Sequence, residues 1–147
     1  MRYYEDVEVG SMATFGAYDV TAAEIKEFAE KYDPQPFHTD EEAATDSVFG
    51  ELVASGWHTM AMCMRLLTED PDPLAALAGV GADNIRWREP VAPGDRLHLR
   101  TETIDKRPSS EHDDRGYVTT YFEGLNQDDD VVVSYEATAL VKRRSYE

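Results

Sequence analysis

The residues with the clearest chemical potential lie in the stretch KYDPQPFHTD, residues 31–40, where Asp33 and His38 stand five positions apart. A carboxylate and an imidazole can hold one water molecule between them and exchange its protons with a substrate. Fully extended, five residues would span roughly 16 Å, so the loop must curve before the two groups can share a water. Pro34 and Pro36 have fixed φ angles that suit such a curve. The spacing also fits a turn acid and a surface histidine, so both interpretations stay open here.

Two predicted helices flank this loop. A capping-box pattern at Thr21 opens the first helix, which must end at Asp33 because Pro34 disfavours the α conformation for the residue before it. The second helix is predicted to begin at Thr39. Asp33 would then lie at the negative end of one helix dipole, and His38 would lie just before the positive end of another. Both groups are therefore predicted to shift toward their neutral forms.

A third helix is predicted over residues 53–67, VASGWHTMAMCMRLL, which carry almost no charge. A helix that is apolar nearly all round belongs inside a protein. Ser55 is interpreted as its N-cap. Backbone amides at a helix start lack partners, so the N–H of Gly56 is suited to stabilising an oxyanion, and a glycine there lets a ligand approach closely.

The rest of the chain predicts a β-sheet. Four segments rich in β-branched and aromatic residues are separated by turn signals, and a further strand is predicted over residues 13–20. The four segments are ADNIRWREP, DRLHLRTETID, GYVTTYFEGLN and VVVSYEATALVK. About five antiparallel strands and one buried helix predict a single α+β domain over residues 1–147, with the sheet curled around the helix.

The charge of the chain narrows the possible partners. It has 30 Asp and Glu residues against 14 Lys and Arg residues, a net charge of -16, so nucleic acid is not expected as a partner. Acids spread along the whole chain are typical of halophilic proteins, in which salt screens the repulsion, and an ordinary acidic protein is the alternative. No secretion signal or membrane-spanning apolar stretch is present, so we expect a cytoplasmic protein without a membrane partner.

The Asp33-to-His38 stretch and the glycine that follows it resemble the MaoC-like dehydratases, a hot-dog-fold family that includes (R)-specific enoyl-CoA hydratases. The family pattern runs aspartate, any residue, asparagine, proline, an aliphatic residue and histidine, and this sequence has DPQPFH. The family then places an aliphatic stretch ending in glycine at the start of its central helix, as LVASG ends at Gly56. The stretch IRWREPVAPGDRL is similar to the strand and Pro-Gly turn that follow.

The resemblance implies a hot-dog fold, with a sheet of about five antiparallel strands wrapped around one long apolar central helix. It implies reversible hydration of an enoyl-CoA-type thioester to a 3-hydroxyacyl thioester, a reaction of fatty acid metabolism. Asp33, His38 and Gly56 would be the catalytic residues. Metal and redox cofactors are not expected, and coenzyme A enters only as part of the substrate. The family builds its site at a dimer interface, which implies a homodimer or higher homo-oligomer.

Two departures from the family pattern concern substrate recognition. Gln35 replaces the usual asparagine, and Ser55 stands where the hydratases usually have a histidine before the glycine. We expect both residues to contact the substrate and to influence which acyl group is accepted.

Four more residues are predicted to bind substrate. Trp57 and His58 follow the glycine at the helix start, although His58 also fits a packed core histidine. Arg86 and Arg88 are candidates for binding the phosphates of coenzyme A, and a solvated basic rim explains them as well.

Two other functions fit the same sequence. A hot-dog acyl-CoA thioesterase would hydrolyse the thioester with an acid on a different element, and a non-catalytic acyl-thioester-binding protein would keep the fold without turnover. A metal site built from His38, Asp40 and His58 lacks any metal-binding motif, so no metal is predicted.

Overall fold

The computed structural model describes residues 1–144 of the chain. Within these residues the strands form one five-stranded antiparallel sheet. In chain order the strands are β1 (Met12–Asp19), β2 (Ala76–Trp87), β3 (Arg96–Pro108), β4 (Arg115–Leu125) and β5 (Val131–Lys142). Across the sheet the order is β1-β3-β4-β5-β2, so β1 and β2 are the two edges. The predicted five-stranded antiparallel sheet is confirmed.

The helices lie between β1 and β2 in the chain: α1 (Ala22–Tyr32), α2 (Pro36–Thr39), α3 (Glu41–Thr45) and α4 (Gly56–Leu67). α4 is the central helix, and its inward side chains join the main hydrophobic core with residues of β3, β4 and β5. Leu66 of α4 and Leu97 and Leu99 of β3 are completely buried there. The sheet and this helix therefore form the predicted α+β arrangement.

The outward side of α4 differs from its prediction. The helix begins at Gly56 rather than at Val53, and its side chains are not buried all round. Trp57 is 58% exposed and Met64 is 62% exposed. The reason is that the sheet covers only one side of the helix, so apolar residues on the other side remain open to solvent. The prediction of a helix buried on every side is wrong for the chain taken alone.

The short helices also differ from their prediction. α2 begins at Pro36, whose fixed φ angle is already suited to the first helical position. α3 is capped by Asp40 rather than by Thr39, because the Asp40 carboxylate accepts hydrogen bonds from the backbone N–H groups of Glu42 and Ala43. His38 consequently lies in the last turn of α2, two residues before the Asp40 cap of α3. The predicted helix start at Thr39 is wrong.

Within the described 144 residues, no helix combines the length and the apolar character needed to cross a membrane.

Candidate active site

The loop between α1 and α2 brings Asp33 and His38 together. It curves tightly, because the N–H of Gln35 donates to the carbonyl of Asp33 at 2.8 Å and the N–H of His38 donates to the carbonyl of Gln35 at 2.9 Å. Oδ2 of Asp33 lies 3.5 Å from Nε2 of His38. The Asp33 side chain is 19% exposed and the His38 side chain 7%. The two groups are therefore sheltered and face the same space.

The tautomer of His38 follows from its second contact. Nδ1 of His38 lies 2.6 Å from the carbonyl oxygen of Val53, and a carbonyl oxygen can only accept, so Nδ1 carries the hydrogen. In the neutral ring Nε2 is then an acceptor that faces the Asp33 carboxylate. A water molecule in the cavity can contact both of these acceptors at once.

Asp33 is held in its ionised form. Nε2 of Gln35 donates to Oδ1 of Asp33 at 2.6 Å, and this hydrogen bond lowers the pKa of Asp33 below its ordinary value. The Ser55 hydroxyl and the charge of His38 lower this pKa further, whereas burial acts in the opposite direction. The predicted shift of Asp33 toward its neutral form is wrong, because these contacts outweigh the dipole of α1.

Ser55 occupies the N-cap position of α4 without capping it. Its hydroxyl makes no hydrogen bond to the first turn, and within residues 1–144 the completely buried Oγ has no partner at hydrogen-bonding distance. The prediction of a capping hydroxyl is therefore wrong. The hydroxyl nevertheless lies near enough to Asp33 to lower the pKa of that carboxyl. Gly56 is the first residue of α4, so its N–H has no acceptor within the helix and is available to a ligand.

Trp87, at the end of β2, holds the start of α4. Its Nε1 donates to the carbonyl of Gly56 at 2.8 Å. A Cβ added to Gly56 would lie 2.5 Å from Cε2 of the Trp87 ring, so only glycine fits beneath the indole. Trp87 is absent from the residues predicted above. Its aromatic character was visible in the sequence, but its pairing with Gly56 depends on where β2 ends relative to α4.

A cavity of about 470 Å³ joins these groups. It contains the three predicted catalytic residues, Asp33, His38 and Gly56, and two of the predicted binding residues, Trp57 and Arg88. The rest of its lining is Phe49, Val53, Ala54, Thr59, Trp87, Glu89, Pro90 and Val91. One wall is thus the Asp33-to-His38 loop with the start of α4, and the other is the segment that follows β2.

The buried segment before α4 connects the two walls. The N–H of Val53 donates to the carbonyl of Phe37 at 3.4 Å, and the N–H of Ala54 donates to the carbonyl of Val91 at 2.8 Å. The His38 ring also donates to the carbonyl of Val53. The loop that carries Asp33 and His38 and the opposite wall are therefore hydrogen-bonded to the same short extended segment. This shared support fixes the width of the cavity.

The other predicted binding residues lie outside the lining of the cavity. Nε2 of Gln35 donates to Oδ1 of Asp33, and Ser55 is completely buried. Arg86 donates to the backbone carbonyl of Ile85. Gln35 and Ser55 can therefore act on the cavity only through Asp33, and Arg86 does not contribute to the lining.

His58 points toward α1 rather than into the cavity. Its ring stacks on Phe28 with centroids 4.7 Å apart and planes 8° apart. Burial lowers the pKa of His58, so the ring favours its neutral form, and within residues 1–144 its Nδ1 has no hydrogen-bond partner. The contacts are those of a packed histidine.

No three His, Cys, Asp or Glu side chains in the described part of the chain gather closely enough to hold a metal ion. The groups that the cavity does assemble can carry out proton transfer and can stabilise a negatively charged oxygen. The Asp33 and His38 side chains have the chemistry of an acid–base pair, and the first turn of α4 has an N–H suited to a negatively charged oxygen.

Comparison with known proteins agrees with this arrangement. The family model described as "MaoC like domain" matches residues 8–121. The uncharacterized protein YdeM of Bacillus subtilis (strain 168) is 30% identical over 142 residues, which cover 95% of this chain and 98% of the relative.

Solved structures of similar proteins have the same fold as this chain. The MaoC-like dehydratase from Rhodospirillum rubrum is 44% identical, with a TM-score of 0.91 over 99% of this chain and 100% of that one. The unliganded R-hydratase PhaJ1 from Pseudomonas aeruginosa is 24% identical, with a TM-score of 0.78 over 97% of this chain and 86% of that one, and shows the fold alone. The predicted hot-dog fold is confirmed.

Proposed function

Because the chain belongs to the MaoC-like domain family of hydratases and dehydratases, we propose that it is a hydro-lyase for an enoyl-CoA-type thioester. The reaction is the reversible addition of water to give a 3-hydroxyacyl thioester. The observation that carries the proposal is the 3.5 Å approach of Asp33 Oδ2 and His38 Nε2 inside a cavity that also contains Gly56. An acid, a histidine and an oxyanion donor in one cavity are the groups that this reaction needs.

The bound water is oriented by both members of the pair. It donates one hydrogen to Asp33 Oδ2 and the other to His38 Nε2, which leaves an oxygen lone pair free to attack Cβ of the enoyl group. The lowered pKa of Asp33 keeps its carboxylate ionised, so His38 Nε2 is the group that takes a proton as the new C–O bond forms. Asp33 then stabilises the imidazolium by its charge.

The electrons of the double bond move toward the thioester as water adds. Negative charge develops on the thioester oxygen, where the N–H of Gly56 and the dipole of α4 stabilise it. A proton from the acid–base pair then adds to Cα and gives the 3-hydroxyacyl thioester. One hydroxyl has been added to Cβ and one hydrogen to Cα, and the reverse sequence is the dehydration.

The substrate supplies coenzyme A, and neither a metal nor a redox cofactor takes part in the proposed steps. The side chains of Trp57, Trp87 and Phe49 give the cavity apolar surfaces for the acyl thioester. Arg86 lies outside the cavity and remains a candidate for the phosphates of the coenzyme.

The test follows the loss of enoyl-thioester absorbance with the wild type and with Asp33→Asn and His38→Asn. We expect each substitution to lower kcat by about 10²- to 10⁴-fold, the usual contribution of a general acid or base. Circular dichroism checks that the variants are folded. Unchanged hydration in both variants would contradict the site. Release of free thiol would identify a thioesterase, and binding without turnover over a broad panel of thioesters would identify a non-catalytic binder.

We also propose that the protein forms a homodimer through the edge strand β2. Among residues 1–144, β2 pairs only with β5, and all of its residues except Ile85 are exposed. Leu77 and Val80 are 51% and 53% exposed on this edge. A long, apolar edge strand is a template for pairing with another chain.

Light scattering after size-exclusion chromatography tests this assembly. The wild type should elute with the mass of a dimer, and Val80→Glu should shift the population toward the monomer because it buries a charge at the interface. Glu102→Gln, which changes one charge on β3, serves as the control and should leave the mass unchanged. A monomeric wild type at micromolar concentration would contradict the proposal.

A further inference from the structure

Arg88 differs from the ion-paired cations of this acidic protein. It lines the cavity, and within residues 1–144 no carboxylate lies within 4.0 Å of its guanidinium. Arg100 on β3 shows the other arrangement, since it pairs with Glu123 at 2.7 Å. In a chain with 30 acidic residues, a cation kept away from every one of them is available for an anion from outside.

Ser134 fixes the orientation of this cation. Nε of Arg88 donates to Oγ of Ser134 at 2.8 Å, and Ser134 is only 1% exposed on β5. The backbone N–H of Arg88 is held as well, by the carbonyl of Val132 at 2.8 Å. A guanidinium is planar, and within the described residues only its Nε hydrogen has a side-chain partner, so the donors on its two Nη atoms form a flat fork. Such a fork matches the two oxygens of a carboxylate.

We propose that Arg88 binds a carboxylate carried by the acyl group, so that the substrate is the thioester of an unsaturated dicarboxylic acid. The inference rests on the proposed function. A sphere with the volume of the cavity would be about 10 Å across, which accommodates a short acyl group and its thioester. The phosphates of coenzyme A lie beyond the long pantetheine arm, whereas Arg88 shares the cavity with Asp33 and His38.

Glu89 and Asp33 carry negative charges that would repel a carboxylate in the cavity. Both line the same cavity, so an acyl carboxylate must avoid them as it meets Arg88. Glu89 follows Arg88 directly in the chain and lies beyond ion-pairing distance of its guanidinium. Neutralising Glu89 should therefore favour a carboxylated substrate, while neutralising Arg88 should disfavour it. The two changes are predicted to act in opposite directions.

A matched pair of thioesters tests the inference. Pent-2-enoyl-CoA and glutaconyl-CoA differ only in a terminal methyl group that is replaced by a carboxylate. The wild type should have the higher kcat/KM for glutaconyl-CoA, and Arg88→Gln should lower the ratio of the two values by about ten- to a hundredfold. Arg88→Lys, which keeps the charge and loses the fork, should lower the ratio less, and Glu89→Gln should raise it.

The shared coenzyme makes the result decisive. Equal losses on both thioesters would place Arg88 on the coenzyme phosphates and overturn the inference, as would a ratio that does not change. Arg107→Gln is the control for net charge, because Arg107 stacks on Tyr117 and does not line the cavity. It should leave the ratio at the wild-type value when all assays use the same salt concentration.

Binding measurements separate this inference from the proposed reaction. If the wild type hydrated neither thioester, the proposed function would fail, and calorimetry with the saturated analogues glutaryl-CoA and pentanoyl-CoA would still test Arg88. Tighter binding of glutaryl-CoA that is lost in Arg88→Gln would support the carboxylate site. Equal binding of the two analogues by the wild type would overturn it.

Discussion

The sheet and the first turn of α4 differ in whether their buried polar side chains have hydrogen-bond partners. On the sheet the buried hydroxyl of Ser134 accepts a hydrogen bond from Nε of Arg88 at 2.8 Å, and the half-buried hydroxyls of Thr119 and Thr138 meet across β4 and β5 at 2.8 Å. At the start of α4, in the described part of the chain, two such groups are unpaired. The buried side-chain atoms that lack a hydrogen-bond partner within residues 1–144 are Ser55 Oγ and His58 Nδ1, three residues apart.

The difference reflects what each region does. Unpaired buried polar groups reduce stability, so a purely structural region satisfies them, as the sheet does. The start of α4 keeps an uncapped turn beside Asp33, where the proposed reaction binds a substrate oxygen and a water. Under that proposal, stability is given up at the active site, and the paired groups of the sheet compensate for it.

The largest predicted effect comes from filling the space above the helix start. In Gly56→Ala the added Cβ would lie 2.5 Å from the Trp87 ring, so the backbone that presents the oxyanion donor must move. We expect kcat to fall by about a hundredfold or more. Stopped assays at saturating thioester measure kcat separately from KM.

Trp87→Ala in the Gly56→Ala background is the matched control, since it removes the ring that the new methyl group would meet. Partial recovery of kcat in the double variant is expected. If Gly56→Ala alone kept full activity, the start of α4 would not be the oxyanion site.

Removing one hydroxyl from each region should have different effects on stability and on kcat. Ser55→Ala removes an unpaired buried hydroxyl, so the free energy of unfolding should stay the same or rise, whereas kcat should fall because Asp33 loses a group that stabilises its charge. Thr119→Val removes a paired hydroxyl, so unfolding should cost about 0.5–1.5 kcal/mol less while kcat stays unchanged. Urea unfolding and kcat are measured on both variants. A Ser55→Ala protein that is less stable than Thr119→Val and fully active would contradict the predicted difference between the two regions.

The smallest predicted effect concerns pH. Burial lowers the pKa of His58 in the folded chain, so the unfolded chain binds a proton first as the pH falls below about 6.5. His58 therefore contributes a loss of stability that begins near that pH and grows until the pH reaches its folded pKa. His58→Phe keeps the stack on Phe28 and should flatten this part of the profile.

Unfolding free energies measured between pH 7.5 and pH 5 would test this, because the carboxylates with lowered pKa values act at lower pH. A variant with the same slope as the wild type would show that His58 is not responsible.

The sequence predicted the parts of this molecule that depend on local pattern. Asp33, His38 and Gly56 were singled out from their spacing and from the resemblance, and the sheet was predicted from segments rich in β-branched and aromatic residues between turn signals. The contacts of Trp87 and Arg88 were not predicted, because they depend on register: β2 pairs with β5 through several shifts, and these set which residues meet Gly56 and Ser134.

The electrostatic argument failed for a related reason. A helix dipole is visible in the sequence, but the side-chain contacts that overrule it are not. Gln35 lies two residues from Asp33 and donates a hydrogen bond to its carboxylate, and the Ser55 hydroxyl lowers the pKa of Asp33 further. The direction of the Asp33 pKa therefore required the folded structure.

The central claim is that Asp33 and His38 direct one water to the Cβ atom of a thioester that stays intact. Mass spectrometry of the products formed in ¹⁸O-labelled water tests it most directly. The account predicts one ¹⁸O atom in the acyl part of an unbroken 3-hydroxyacyl thioester with the wild type, and a strongly reduced yield with His38→Asn. Label found instead in a free carboxylic acid, or equal yields from the two proteins, would contradict it.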